Sequence, residues 1–191
     1  HLFADVTTDD ATTVSGACVT GYCDFDNFQV APSGTGAADR LNARWHDAYN
    51  GISRANAILG RIDAVSMTEA VKTRVTGEAK YLRALFYVEL ARTFGDVPLV
   101  LEELTPADAY AYGREPVANV YAQAAKDLTD AAELLPASYS GADMGRATAG
   151  AADALLGEVY VTLKKDDLSE TALAKTVAGP YELLADYASV F

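Results

Sequence analysis

The chain has 191 residues, 50% of them hydrophobic, with 15 basic against 27 acidic side chains and a formal net charge of −12. That length and apolar content suit one folded domain with a real core and exclude a disordered tail. So acidic a chain offers no basic face to nucleic-acid phosphates and no attraction to anionic lipid surfaces, and its apolar runs are too short to span a bilayer.

Residues 1–40 are rich in Thr, Gly, Asp and Ser, with little hydrophobic periodicity. They predict a loop-rich segment holding one short helix. Within it, Cys18 and Cys23 stand in CVTGYC. A small disulfide loop, hence an oxidising compartment, is one reading of this pair; two unpaired thiols are the other. The run Asp24-Phe25-Asp26-Asn27 alternates oxygen ligands as a calcium loop does. It lacks the following Gly and distant Glu of an EF-hand, so a solvated acidic loop is expected and no metal site.

From Leu41 the pattern turns helical. Leu41, Trp45, Tyr49, Ile52, Ala55, Ile58 and Ile62 recur at spacings of three and four, with Asp39 as a candidate N-cap. The register of Trp45 with Tyr49 predicts burial between helices, and His46 is expected to be structural. A second helix is predicted over 68–93, capped by Thr68 and ended at Gly95, with Pro98 beyond. In it Arg83 stands among apolar residues and needs an anionic or carbonyl partner, for which Glu78 and Asp96 are candidates. Asp96 is also expected to bond free amides in the FGDVPL turn. VPLVL (97–101) is the sole extended candidate.

An acidic, Tyr-bearing loop (102–114) leads to a third helix from Pro116 to Leu135. After SYSGADMGR, a fourth helix is predicted over 148–163 and a short one over 167–177, with another beginning near Pro180. Helices two and four echo one another at a shift of 73 residues, pairing Ala79 with Ala152, Leu82 with Leu155 and Val88 with Val161. The fold predicted is all-α, two similar helical hairpins of tetratricopeptide type. It divides into a loop-rich segment, 1–40, and a helical domain, 41–191. The start at His1 and the apolar end YASVF suggest a piece of a longer protein, trimmed at both ends.

No Ser-His-Asp set, glycine-rich phosphate loop or metal-ligand cluster is evident, so neither an enzyme nor a cofactor is expected.

Several blocks carry a family resemblance. WHDAYNGISRANAIL (45–59), EAKYLRALFYVELARTFGDVPLV (78–100), REPVANVYAQAAKDLTDAAELLP (114–136) and GRATAGAADALLGEVYV (145–161) resemble, in order, motifs of the SusD/RagB family. TTDD (7–10) is similar to the family's Thr-Asp-Glu element, with Asp10 where Glu is usual. The resemblance implies a non-catalytic, lipid-anchored glycan-binding protein of the Bacteroidota outer membrane, acting with a SusC-type TonB-dependent transporter. It implies that the lipid-bearing Cys, the first helix and the C-terminal portion are missing here.

The resemblance also implies that the loop between the TTDD element and the Trp-bearing helix, residues 11–44, reaches the ligand. That match is positional, because the loop shares no motif with the family. Its mixture of Tyr22, Phe25 and Phe28 with acids and amides suits sugar faces and hydroxyl edges. The candidate glycan ligands are Tyr22, Asp26, Asn27, Gln29, Arg40 and Asn42, with Cys18 and Cys23 stiffening the loop. Phe25 and Phe28 equally suit an anchor on the core. The rival reading is a free-standing helical scaffold for a peptide or protein.

Overall fold

A computed structural model describes residues 22–26, 36–105 and 107–182. These form six α-helices: α1 (Tyr22–Asp26), α2 (Gly36–Arg61), α3 (Glu69–Phe94), α4 (Val117–Leu134), α5 (Ala149–Thr162) and α6 (Asp166–Val177). Short 3-10 turns lie at Ile62–Ala64, Asp108–Ala111 and Gly141–Asp143. The extended candidate 97–101 makes one isolated antiparallel bridge, Val97 with Glu115, and no strand. The chain is all-α and tetratricopeptide-like, as its periodicity predicts.

Two compact units divide the chain, His1–Tyr49 and Asn50–Phe191. In the first, Phe25 of α1 is buried against Ala37, with Leu41 packed beside them. Phe25 is thus a core anchor. Cys23 is disulfide-bonded, and Cys18 lies outside the described residues. Helix α2 starts at Gly36, not near Leu41, so Asp39 lies in its first turn and is not its cap. The apolar pattern misses this turn because its buried residues are alanines, Ala37 and Ala38, which carry little periodic signal.

In the second unit each helix packs on its neighbours. Helix α4 lies against both α3 and α5, and α5 against α6. Gly51 of α2 faces the Phe86 ring so closely that a Cβ would collide with it. Small residues let the helix axes approach in this way. The core holds Tyr87, Val88 and Leu90 from α3, Val120 and Leu128 from α4, and Val159 from α5, each at most 1% exposed.

The ends of the helices follow from local chemistry. Thr68 Oγ1 accepts from the Val71 amide, and Thr148 Oγ1 from the Ala151 amide, so each satisfies a helix-start donor. Gly95 closes α3 at φ +70°, a conformation that other residues rarely adopt. Among the described residues Asp96 makes no bond within its own turn. Its Oδ1 accepts from the Val117 amide at 2.8 Å and so caps α4 from across the intervening loop.

The internal echo survives in part. Ala79 and Ala152 are both buried, whereas Val88 is 1% and Val161 57% exposed. Val88 lies mid-helix between neighbours, and Val161 stands in the last turn of α5.

Asp153 of α5 is 7% exposed, and its Oδ1 has no hydrogen-bond partner among the described residues. Lys175 of α6 stands 3.9 Å away. Burial raises the carboxyl above its usual range, while the Lys175 charge pulls the other way. A raised folded pKa means that the folded state holds the proton more tightly. Its stabilising contribution is full below the unfolded pKa and lost as pH rises through the folded one. Asp153→Asn should therefore stabilise the chain at pH 7 and change little near pH 3, checked by thermal melts at both.

Leu128 is fully buried on α4. Leu128→Ala should cost about 2–5 kcal/mol, lost transfer energy plus a cavity, read as a lower midpoint in denaturant unfolding.

Candidate functional site

Both glycan candidates on α2 can be placed. Arg40 is half-buried and Asn42 exposed. Two residues apart on a helix, they do not share a face. Tyr22 and Asp26 are the first and last residues of α1. Asn27 and Gln29 lie outside the described residues. The Asp24–Asp26 stretch is helical where a solvated loop was expected, and no group of three or more metal-capable side chains occurs among the described residues. Trp45 is half-buried, with its ring centroid 4.9 Å from that of Tyr49, and His46 is exposed.

The densest polar arrangement in the described structure lies inside the second unit. Arg83 Nε donates to Asp127 Oδ2 at 2.7 Å and Nη2 to Asp127 Oδ1 at 2.8 Å. This forked pair replaces both partners expected for Arg83: Glu78 and Asp96 are engaged elsewhere. Arg83 Nη1 donates to Asn56 Oδ1 at 2.9 Å and, more weakly, to the Leu101 carbonyl at 3.4 Å. Asn56 Nδ2 donates to the carbonyls of Val100 and Glu102, each at 3.0 Å. Gln123 adds a bond to Asp127 Oδ1.

Asn56 and Asp127 are each 1% exposed, and Arg83 is 7% exposed. The signals were present in the sequence. Asn56 stands four after Ile52 in an apolar register, and Asp127 adjoins Leu128 in another. A polar residue at a core position needs a partner. What sequence could not give was which one, because 44 residues separate Arg83 from Asp127.

Tyr87 adds a second clamp. Its hydroxyl donates to the Val100 carbonyl and accepts from the Val100 amide, both at 2.7 Å. Burial pushes the phenol up to about 12, against the pull of the Val100 bond and the Arg83 charge. Together these groups hold the extended segment 97–102 against α2 and α3. Every strong donor and acceptor is spent on the fold, so the cluster is architecture and offers nothing to a substrate.

A family model described as starch-binding, associating with outer membrane, matches residues 2–161. The chain belongs to the SusD-like family. A SusD-like protein of Formosa agariphila is 28% identical over 149 residues, covering 77% of this chain and 28% of its own length. Another, from Bacteroides ovatus, is 29% identical over 143 residues, covering 73% of this chain and 25% of its own length. A solved laminarin-binding SusD-like protein superposes with a TM-score of 0.90 at 32% identity, over 99% of this chain and 42% of that one. A SusD-like protein of Bacteroides fragilis superposes at 0.77 with 29% identity, over 95% of this chain and 38% of that one. The chain thus spans between about a quarter and two fifths of these relatives. In this SusD-like chain the Arg83 of LRALF and the Asp127 of KDLTD, which sit in two of the motif blocks, are each other's partners.

Removing one member of the buried pair strands the other. Asp127→Ala should cost about 3–5 kcal/mol, whereas the double change Arg83→Met with Asp127→Leu should recover most of that loss, both read from chemical denaturation.

Proposed function

We propose that this SusD-like chain is part of a non-catalytic cell-surface protein that captures an oligo- or polysaccharide and delivers it to a SusC-type TonB-dependent outer-membrane transporter. The observation that carries the reading is the superposition on a laminarin-binding relative across 99% of the chain. The family description, starch-binding and associated with the outer membrane, supports the ligand class and the location. The full-length protein would be held at the membrane by a lipid anchor outside this chain. The family match supports this reading over a free-standing helical scaffold.

The binding residues proposed are Tyr22, Asp26, Asn27, Gln29, Arg40 and Asn42. Aromatic faces stack on sugar rings while amide, carboxylate and guanidinium groups meet the hydroxyls. The Cys23 disulfide ties one end of the loop, which lowers the ordering cost of binding. With a net charge of −12 the chain favours neutral over anionic polysaccharides.

Titration calorimetry with laminarin and starch tests the ligand. Saturable binding to a neutral glucan is expected. Asn27→Ala combined with Gln29→Ala should weaken it at least about tenfold, the loss of one or two hydrogen bonds to the ligand, with an unchanged melting temperature. Absence of binding to any neutral glycan would overturn the assignment. Copurification of the native protein with a TonB-dependent transporter tests the partner.

A further inference from the structure

A groove on the second unit has no part in the network or in the loop site. It consists of two adjoining clefts of about 390 and 270 Å³ that share Gly145 and Arg146. Tyr81 and Leu82 of α3 wall the first, and Tyr139, Met144 and Tyr181 the second. Leu82 is 44% and Met144 72% exposed, so apolar surface is left facing solvent. Gly145 bends the chain here at φ +93°.

The polar side of the groove is a balanced charge cluster. Arg146 Nε bonds Asp143 at 2.6 Å, and its Nη1 reaches both oxygens of Glu78 at 3.3 Å. Arg74 bonds Glu78 at 3.0 Å, and the Tyr139 hydroxyl donates to Glu78 Oε1 at 3.3 Å. Two guanidinium groups and two carboxylates cancel, so the groove selects neither an anion nor a cation. Its unused capacity is nevertheless considerable. Arg146 is 43% exposed at its side chain, and its Nη2 makes no hydrogen bond among the described residues. Among the described residues Glu78 Oε2 accepts only the long Arg146 bond. The Tyr139 oxygen keeps its lone pairs.

A donor, two acceptors, tyrosine rings and exposed apolar edges together, with no net charge, match one ligand chemistry. A pyranose has apolar ring faces and vicinal hydroxyls that donate and accept at once. We propose that the Tyr139–Arg146 groove is a second glycan-binding site, taking neutral hexose units of the same polysaccharide. This rests on the glycan-binding reading above. A long polymer would then meet two contact points on one chain, which raises retention without a tighter primary site.

The chain has two methionines, Met67 and Met144, and Met67 lines neither cleft. Methyl-labelled methionine therefore reports the groove with an internal control. Titration of the intact chain with a short laminarin oligosaccharide should shift the Met144 methyl saturably and leave Met67 in place. Tyr139→Ala should weaken that response about tenfold, the worth of an aromatic contact, while the loop variants Asn27→Ala and Gln29→Ala leave it intact. Should Tyr139→Ala fail to fold, Leu82→Ala, at an exposed position, replaces it.

A Met144 signal that stays still while calorimetry shows the chain saturated would overturn the groove site and leave the loop site standing. A chain that binds no glycan by either method would overturn both. A Met144 shift that tracks protein concentration without sugar would identify the groove as a self-association face and overturn the proposal.

Discussion

A guanidinium sealed inside a helical stack imposes its own demands. Arg83 sits on α3 with 7% exposure, where an unpaired charge would cost several kcal/mol. Asp127 from α4 and Asn56 from α2 meet it, so three helices are tied to one side chain. The fork geometry of Arg makes the arrangement directional in a way that apolar contact is not. Helix α3 cannot rotate or slide against α4 without breaking two charge-assisted bonds at once. The apolar core around Tyr87, Leu90 and Leu128 supplies the bulk of the driving force. The buried pair fixes which packing that force produces.

The same network reaches outward. Asn56 and Tyr87 hold the backbone of 100–102, and Asp96, at the start of that segment, caps α4. The connection between the two hairpins is therefore specified by Asn56 of α2, Tyr87 of α3 and its own Asp96. This explains how VPLV can lie extended with a single bridge and no sheet. The Val97 carbonyl accepts from the Glu115 amide, and the Val100 amide and carbonyl are satisfied by Tyr87 and Asn56 in place of strand neighbours.

The buried network leaves no group for a ligand. The surfaces proposed for recognition are the loop-bearing first unit and the groove beside α3 in the second, and each combines tyrosines with polar groups that sugars need. The family match and the laminarin-binding relative support glycan binding, and the loop is the proposed place for it. The groove stands on its own geometry and its local neutrality.

Helical spacing made most of the architecture legible. Thr68, Gly95, Pro116 and Thr148 marked helix ends to within a residue, because capping and breaking are local chemistry. The ordered blocks from Trp45 to Val161 also carried the family. Other features needed the third dimension. The early start of α2 at Gly36 escaped notice because alanines at Ala37 and Ala38 give no periodic contrast. Arg83 announced that it needed a partner, yet the choice of Asp127 over Glu78 or Asp96 depended on how α3 and α4 pack. Charge pairing is decided by distance in space, and the sequence states only distance along the chain.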